Sequence, residues 1–536
     1  MFAKGSVNSN QSVNKTQQLA FADFFPDYLK HNMNTDLVIP CLLMLILLLL
    51  WHRLTTHSDI KRRVHPPGPW GLPFLGNLLS LGSYPHLSLT KMAKKYGPVF
   101  KIRLGQKSVV VLTGLQTTKQ ALVKQAIDFA GRPDFESFKA IAEGKTMAFN
   151  TYSLQWKTQR KIQHVALRTF LSGAHLENLE KRIAEEAEQL VKCLTTNGLG
   201  SGGHMIDPNE YVRFAVANII CLILFGKKYG STDVTLQRLV TLSARFTEVT
   251  GAGNPADIMP WTKIVPSVKQ RQADFEKMVG EFDDWIEERK REHEESYQPG
   301  VIRDLTDHLV KVLEEMDQEE MARLQIDHSR IMKTLNETLG AGFETVATSL
   351  LWSIMYMMAY PDVQSRVQKE LDRVVGPDRT PCLADKRNLH FTQACIHEIL
   401  RITSVAPMAI PHSTTCDTNL NGFFIPKDTL IFVNLWGTNH DETIFENPDD
   451  FNPDRFMTAD GSTFDRSKSD KYVTFSLGRR RCLGEPLAHM EVFLFFTTLM
   501  HRCTFQKEND DQILDFKGNY GLTIQPDRYR VLVNPR

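Results

Sequence analysis

A single cysteine set among glycines and arginines offers the most definite chemistry in the chain. Residues Phe475 to Pro486 read FSLGRRRCLGEP, with Gly478 and Gly484 flanking Cys482 and three arginines, Arg479 to Arg481, directly before it. Glycine at those places admits a flat, bulky group close to the backbone, where a side chain would collide. Pro486 suits the first turn of a helix over Leu487 to Met500, so Cys482 sits just ahead of a helix N-terminus. The dipole and free N–H groups there favour thiolate over thiol. A thiolate so placed is a nucleophile or a metal ligand. A buried structural thiol is the commoner fate of a free cysteine, but it fits poorly beside three arginines.

The longest helical run, His328 to Met358, spans about 45 Å at 1.5 Å per residue. In its middle stands Gly340-Ala341-Gly342-Phe343-Glu344-Thr345. Two glycines inside a helix cost about 1 kcal/mol each, and an acid before the apolar run Leu350 to Met358 is costly if buried. Either the helix is loosened with Glu344 in solvent, or it is opened against a ligand with Glu344 and Thr345 handling protons. Glu398-Ile-Leu-Arg401 puts opposite charges at i and i+3 on one helix. Trp156 and Arg160 share another helix face, which would present an indole N–H beside a guanidinium.

The spacing Phe475-x-x-Gly478-x-Arg480-x-Cys482-x-Gly484 resembles the haem-ligand loop of the cytochrome P450 family at all five defining positions. That resemblance implies haem b with Cys482 as the axial thiolate on iron, and Arg480 paired with a haem propionate. Residues 341 to 345 resemble the oxygen-activation segment of the family. Thr345 would then hydrogen-bond the oxygen species, and Glu344 would feed protons towards it. The order Glu398, Arg401, then Arg455 in Pro453-Asp-Arg-Phe, then Cys482, resembles the Glu-Arg-Arg core, a structural lock. By the same resemblance Trp156, Arg160 and His412 are propionate partners. Lys157, Lys161 and Arg168, with Arg479 and Arg481, would form a basic face for an acidic electron donor.

Several stretches look like the animal family 1 enzymes, the aryl hydrocarbon hydroxylases: Gly131-Arg-Pro-Asp134, Ser137-Phe138, Gly253-Asn-Pro-Ala-Asp257, Gly340 to Val346 and Ile410 to Thr415. The resemblance implies a narrow slot for flat substrates walled by Phe138, Phe246 and Phe343, with Gly340 and Ala341 letting the substrate lie close to the helix. Flat walls select flat ligands through offset stacking. Glu344 and Glu337 stand where that branch commonly has Asp, each one methylene longer. Ala406-Pro-Met408 is a smaller and softer edge than its relatives carry, which implies a roomier pocket near the iron.

The elements that must position these groups are mostly helical. Helical periodicity covers Glu177 to Cys193, Tyr211 to Phe225, Gln270 to Glu295, Pro361 to Val375 and Phe391 to Thr403. Hairpins are expected at Val99 to Leu112, at Phe423 to Asn434, and between Leu522 to Ile524 and Tyr529 to Val533. The expected fold class is therefore mainly α with a small β portion (α+β): a cytochrome P450 fold with an N-terminal membrane anchor. Ahead of it, Leu37 to Trp51 is an uncharged apolar run, short of the roughly 20 residues of a full span. His52, Arg53 and Lys61 to Arg63 follow it in place of a small-x-small cleavage site, which favours an uncleaved anchor with its C-terminal side in the cytosol. The expected organisation is a lumenal tail (1–36, with sequons at Asn10 and Asn14), an anchor (37–52), a basic and proline-rich linker (53–73), and one catalytic domain (74–536) on the endoplasmic reticulum membrane.

A net charge of +1 gives no global case for nucleic acid, and eight cysteines without a CxxC pair suit reduced thiols. The whole implies a monooxygenase for apolar, planar aromatic or steroid-like substrates: xenobiotics, endogenous steroids or fatty acids. NADPH electrons would arrive through a flavoprotein reductase, with cytochrome b5 as a second donor. The alternatives are a haem-thiolate isomerase or dehydratase needing no O₂, against which the Glu344-Thr345 pair argues, and a non-catalytic haem-binding protein.

Overall fold

The computed structural model describes residue 44 and residues 64–536 other than 197–203, 231–232, 252 and 299. The expected tail with both sequons, the anchor apart from Met44, and most of the basic linker lie outside the described residues. Among the described residues no helix is long and apolar enough to cross a membrane. His65 to Arg536 form one compact unit. Its proline-rich start is docked, since Pro67 O accepts from the Lys101 N–H at 2.7 Å.

The helices used below are α1 (Glu136–Ala140), α2 (Leu154–Phe170), α3 (Gly173–Thr196), α4 (Asn209–Phe225), α5 (Val234–Gly251), α6 (Pro255–Ile258), α7 (Pro266–Glu294), α8 (His328–Ala359), α9 (Pro361–Val374), α10 (His390–Thr403) and α11 (Glu485–Arg502). α3, α4, α7, α8, α9, α10 and α11 fall on the helical runs expected from sequence. Asp327 caps α8 by accepting from the Arg330 N–H at 2.6 Å, and Pro361 forces the turn after its end. From Val346 to Met358 every residue of α8 is buried, so the helix is apolar all round and lies in the core. It runs unbroken, not opened at its glycines. A Cβ on Gly342 would stand 2.9 Å from Ile220 Cδ1 of α4, so that glycine serves close helix packing.

The first expected hairpin forms: β1 (Val99–Leu104) pairs antiparallel with β2 (Lys107–Thr113). The other two expected hairpins do not form. β6 (Phe423–Ile425) pairs back with β5 (Thr418–Leu420). β7 (Leu430–Asn434) joins β2 in parallel and β4 (His412–Ser413) antiparallel, in the order β1-β2-β7-β4. Asp428, at φ 59°, turns the chain and donates its N–H to Thr414 O, which separates β6 from β7. β9 (Val531–Pro535) lies between β3 (His204–Ile206) and β8 (Cys503–Gln506), while Leu522 to Ile524 stay outside any strand.

Beneath the cysteine loop, Glu398 and Arg401 of α10 are wholly buried and fully paired. Arg401 donates to both Glu398 oxygens at 2.7 and 2.8 Å and to the carbonyls of Asn439 and Pro448. Arg455 reaches Glu398 at 2.8 Å and the carbonyls of Glu446, Asn447 and Asp450. One carboxylate and two guanidiniums thus fasten the segment 439–455 to α10. Breaking such a pair strands a buried charge. Glu398→Ala is expected to lower the unfolding free energy by about 3–5 kcal/mol, read from the denaturation midpoint; an unchanged midpoint would contradict this role.

Candidate functional site

Gly484 caps α11, and Pro486 lies in its first turn, so Cys482 stands immediately ahead of the helix as expected. The Cys482 N–H donates to Phe475 O at 2.9 Å, which closes the loop on itself. Gly478 is required by protein rather than by a ligand: at φ 69°, a Cβ there would fall 1.7 Å from Leu122 O. Gly484 has open space, its nearest neighbour being Cys482 Sγ at 3.9 Å. The Cys482 side chain is accessible yet set among protein, and desolvation pushes its thiol up. The N–H groups of Gly484 and Glu485 and the Arg160 charge pull the other way without winning. The expected thiolate preference is thus not reached by the helix alone; a bound cation at sulfur would supply it.

Around this loop the structure collects three guanidiniums. Arg480 donates to Ala130 O at 2.9 and 2.8 Å, to Met147 O at 2.9 Å and to Asn150 O at 2.7 Å, and lies 4.2 Å from the Trp156 ring centroid. Arg160 donates to Arg481 O, and Trp156 Nε1 to Met147 O at 2.9 Å. The third, Arg132, was not singled out from sequence, although it lies inside the quoted Gly131-Arg-Pro-Asp134. It donates to Ala148 O at 2.7 Å and to the carbonyls of Ile410 and Pro411. His412 is buried with Nδ1 on Phe129 O at 2.7 Å, and burial holds it neutral, well below its usual range. All three arginines bond carbonyls, and none forms a carboxylate ion pair among the described residues. Burial lowers each of them. Such a rim calls for an anion. A group with a metal for Cys482 and carboxylates for the arginines fits these residues.

Loop 145–151 ties that rim to α8, because Glu337 accepts from the Ala148 N–H. One turn further, Ala341 is exposed and Gly340 and Thr345 are half-exposed, ahead of the buried run Val346 to Met358. Thr345 Oγ1 donates to Ala341 O at 2.9 Å, leaving its lone pairs to the open side. Glu344 is buried, not solvated. It is ion-paired with Arg213 of α4, accepts from Gln525 Nε2 at 2.7 Å, and lies 3.4 Å from Ser243 Oγ.

The aromatic residues divide. Phe138 meets Phe149 at 4.9 Å between ring centroids, a partner that sequence reasoning missed. Phe246 packs on Phe275 of α7 at 6.1 Å. Phe343 is wholly buried in the main core, about 200° round α8 from Ala341 at 100° per residue. It therefore backs the helix instead of forming an open wall beside Ala341. Ala406 is half-buried. Asp257, from the Gly253-Asn-Pro-Ala-Asp257 stretch, accepts from the Ser137 N–H at 3.1 Å and so fastens α6 to α1 beside Phe138. Of the expected basic face, Lys157, Lys161, Arg168 and Arg479 are exposed, whereas Arg481 is neutralised by Glu485.

A family model described as "Cytochrome P450" matches residues 66–533. The chain is 44% identical to "Cytochrome P450 1A1" of Limanda limanda over 468 residues, which is 86% of this chain and 89% of that protein. It is 41% identical to "Cytochrome P450 1A1" of Oncorhynchus mykiss over 500 residues, 92% and 94% of the two chains. "Cytochrome P450 1A3" of the same fish is 42% identical over 487 residues, 90% and 92% of the two.

Glu337 gives the site a pH signature. Burial pushes its carboxyl up to about 7, against the N–H groups of Ala148 and Met147 and the charges of Arg480 and Arg132. The folded value lies above the unfolded one, so the folded state prefers the neutral form. Its contribution is fully present below about pH 4.5 and is lost as pH rises to about 7, roughly 3 kcal/mol in all. Glu337→Gln keeps the acceptor for Ala148. It is expected to remove that decline between pH 5 and 7 in urea-unfolding midpoints compared with the wild type; parallel profiles would contradict it.

Proposed function

The chain belongs to the cytochrome P450 family, and from that premise we propose that Cys482 is its haem thiolate and that flat apolar molecules are its substrates. It is a haem-thiolate monooxygenase acting on xenobiotics, with NADPH electrons reaching it through a reductase. Haem bound through a cysteine thiolate supplies the oxygen-activating chemistry, because sulfur donation favours O–O cleavage. The observation that carries the assignment of Cys482 is its accessible thiol ahead of α11, beside a rim of arginines that no carboxylate neutralises.

The residues of this chain then have distinct tasks. Arg132, Arg160 and Arg480 would hold the propionates, and Trp156 and His412 would join them by exchanging the carbonyls of Met147 and Phe129 that now take their N–H groups, with Phe475 and Gly478 shaping the thiolate loop. Thr345 offers a hydroxyl whose own proton is committed to Ala341 O, so it accepts and passes protons on the open face of α8. Glu344 is the proton source. Its links to Arg213 and Gln525 hold the carboxyl group in place one residue from Thr345. Gly340 and Ala341 form the surface over which a flat substrate lies, the Phe138–Phe149 pair supplies an aromatic wall, and Phe246 contributes a further apolar side. Phe343 supports α8 from behind. Ala406 leaves more room than a branched residue would.

Lys157, Lys161, Arg168 and Arg479 suit docking of an acidic reductase domain, or of cytochrome b5. An apolar surface supports attachment to the endoplasmic reticulum membrane. Trp70, Leu72, Phe74 and Leu79 are exposed, as are Trp261 and Ile264. The two groups flank the β1–β2 turn, where the N–H of Gly105 donates to Leu75 O and that of Gln106 to Ile258 O. Exposed tryptophans and aliphatics together favour a lipid interface.

The test is reductase-dependent consumption of NADPH and O₂ with a panel of planar aromatic ethers and bulkier, non-planar analogues. Product formation favouring the planar members is expected; turnover on none of a broad panel would contradict the reading. Ala406→Val should change regioselectivity or affinity about tenfold, and unchanged values would remove the claim of a roomier pocket.

A further inference from the structure

Away from the pocket just described, a cleft of about 350 Å³ opens between α10 and the segment 464–470, lined by Lys386, Gln393, His397, Phe464, Arg466 and Ser469, with Asp470 beside them. Its size lies at the lower end for small-molecule sites, roughly 300–1,000 Å³. Two cations face into it. Lys386 is half-buried, and both desolvation and the Arg466 charge weigh against its ammonium; no carboxylate counters them. Neither cation forms an ion pair among the described residues.

The opposite wall is aromatic. His397 is the one residue of α10 between Phe391 and Thr403 that is not buried, and its ring lies 4.7 Å from that of Phe464 at 37°. Its Nδ1 is bonded to Tyr472 OH at 2.8 Å, and burial holds it neutral, at about 3. His397 also stacks on His489 at 5.9 Å, so it backs Phe464, whose ring is the uncharged surface that will not compete with the cations for an anion. Gln393 is fixed by donating to Lys386 O at 2.6 Å, which sets its amide against the same wall.

We propose that this cleft binds a nucleoside monophosphate. The phosphate would lie between Lys386 and Arg466, the base on the Phe464 ring, and Asp470 would accept from the ribose hydroxyls. Two unpaired cations match a dianion, the ring matches a planar heterocycle, and the cleft exceeds what an inorganic ion fills. None of the cleft's lining residues belongs to the haem or oxygen-activation set, so the inference does not rest on the monooxygenase reading.

Calorimetric titration of the haem-loaded full-length protein at low ionic strength, with adenosine 5′-monophosphate as probe, tests it. Inorganic phosphate and adenosine serve as the separate halves of that ligand. The monophosphate is expected to bind once per chain, more tightly than either half, and to weaken as salt is added. Lys386→Met, which removes the ammonium that lies 5.7 Å from the Phe493 ring centroid while keeping an apolar side chain, and Arg466→Gln, at an exposed position, should each weaken it about tenfold. An unchanged CO-bound absorption spectrum in both variants establishes that the fold is intact. Absence of binding, phosphate binding as tightly as the nucleotide, or wild-type affinity in both variants would each overturn the proposal.

Discussion

The confinement of three guanidiniums in one rim constrains everything around it. Arg132 is buried and Arg160 and Arg480 are half-buried, and a guanidinium withdrawn from water without partners is costly. The chain offers them carbonyls instead of carboxylates: Ala130, Met147, Ala148, Asn150, Ile410, Pro411 and Arg481 all accept from the rim. Those acceptors come from segments far apart in sequence, so the rim also fixes the loops that bound the pocket. Gly131 belongs to the same constraint, since a Cβ there would meet Ser413 Oγ at 2.5 Å. Carbonyl dipoles hold the groups in place without cancelling their charge, which leaves a dianion-shaped demand.

The same molecule solves the opposite problem one layer below. Glu398, Arg401 and Arg455 form a closed set in which the carboxylate and both guanidiniums find partners, so the result is rigidity and not reactivity. Glu344 is intermediate between the two. Its Arg213 and Gln525 partners come from α4 and from the C-terminal segment, and it stands one residue from the Thr345 hydroxyl.

Much of this was legible in the sequence because it is local. Helix spans follow from apolar period, and the cysteine loop and the Thr345 segment carry short-range patterns that survive without any knowledge of tertiary structure. What was illegible is non-local. Nothing in Phe423 to Asn434 says that β7 will leave β6 for β2, because strand pairing is chosen by the sheet and not by the turn. Gly342 reads as a weakness in a helix until Ile220, on another helix, is placed against it. Arg213 and Gln525 are 131 and 181 residues from Glu344, and no spacing rule connects them. Phe343 was read as a pocket wall from its neighbours in sequence, yet helical geometry turns it to the far side of α8.

The account stands on Cys482 as the sulfur ligand. The direct measurement is the absorption spectrum of the reduced, CO-treated protein, wild type against Cys482→Ala, at matched haem content. The wild type should show the strongly red-shifted Soret band of a thiolate-ligated haem, and the variant should lack it entirely. The same band surviving in Cys482→Ala would mean that another residue is the ligand and that the site has been built around the wrong atom.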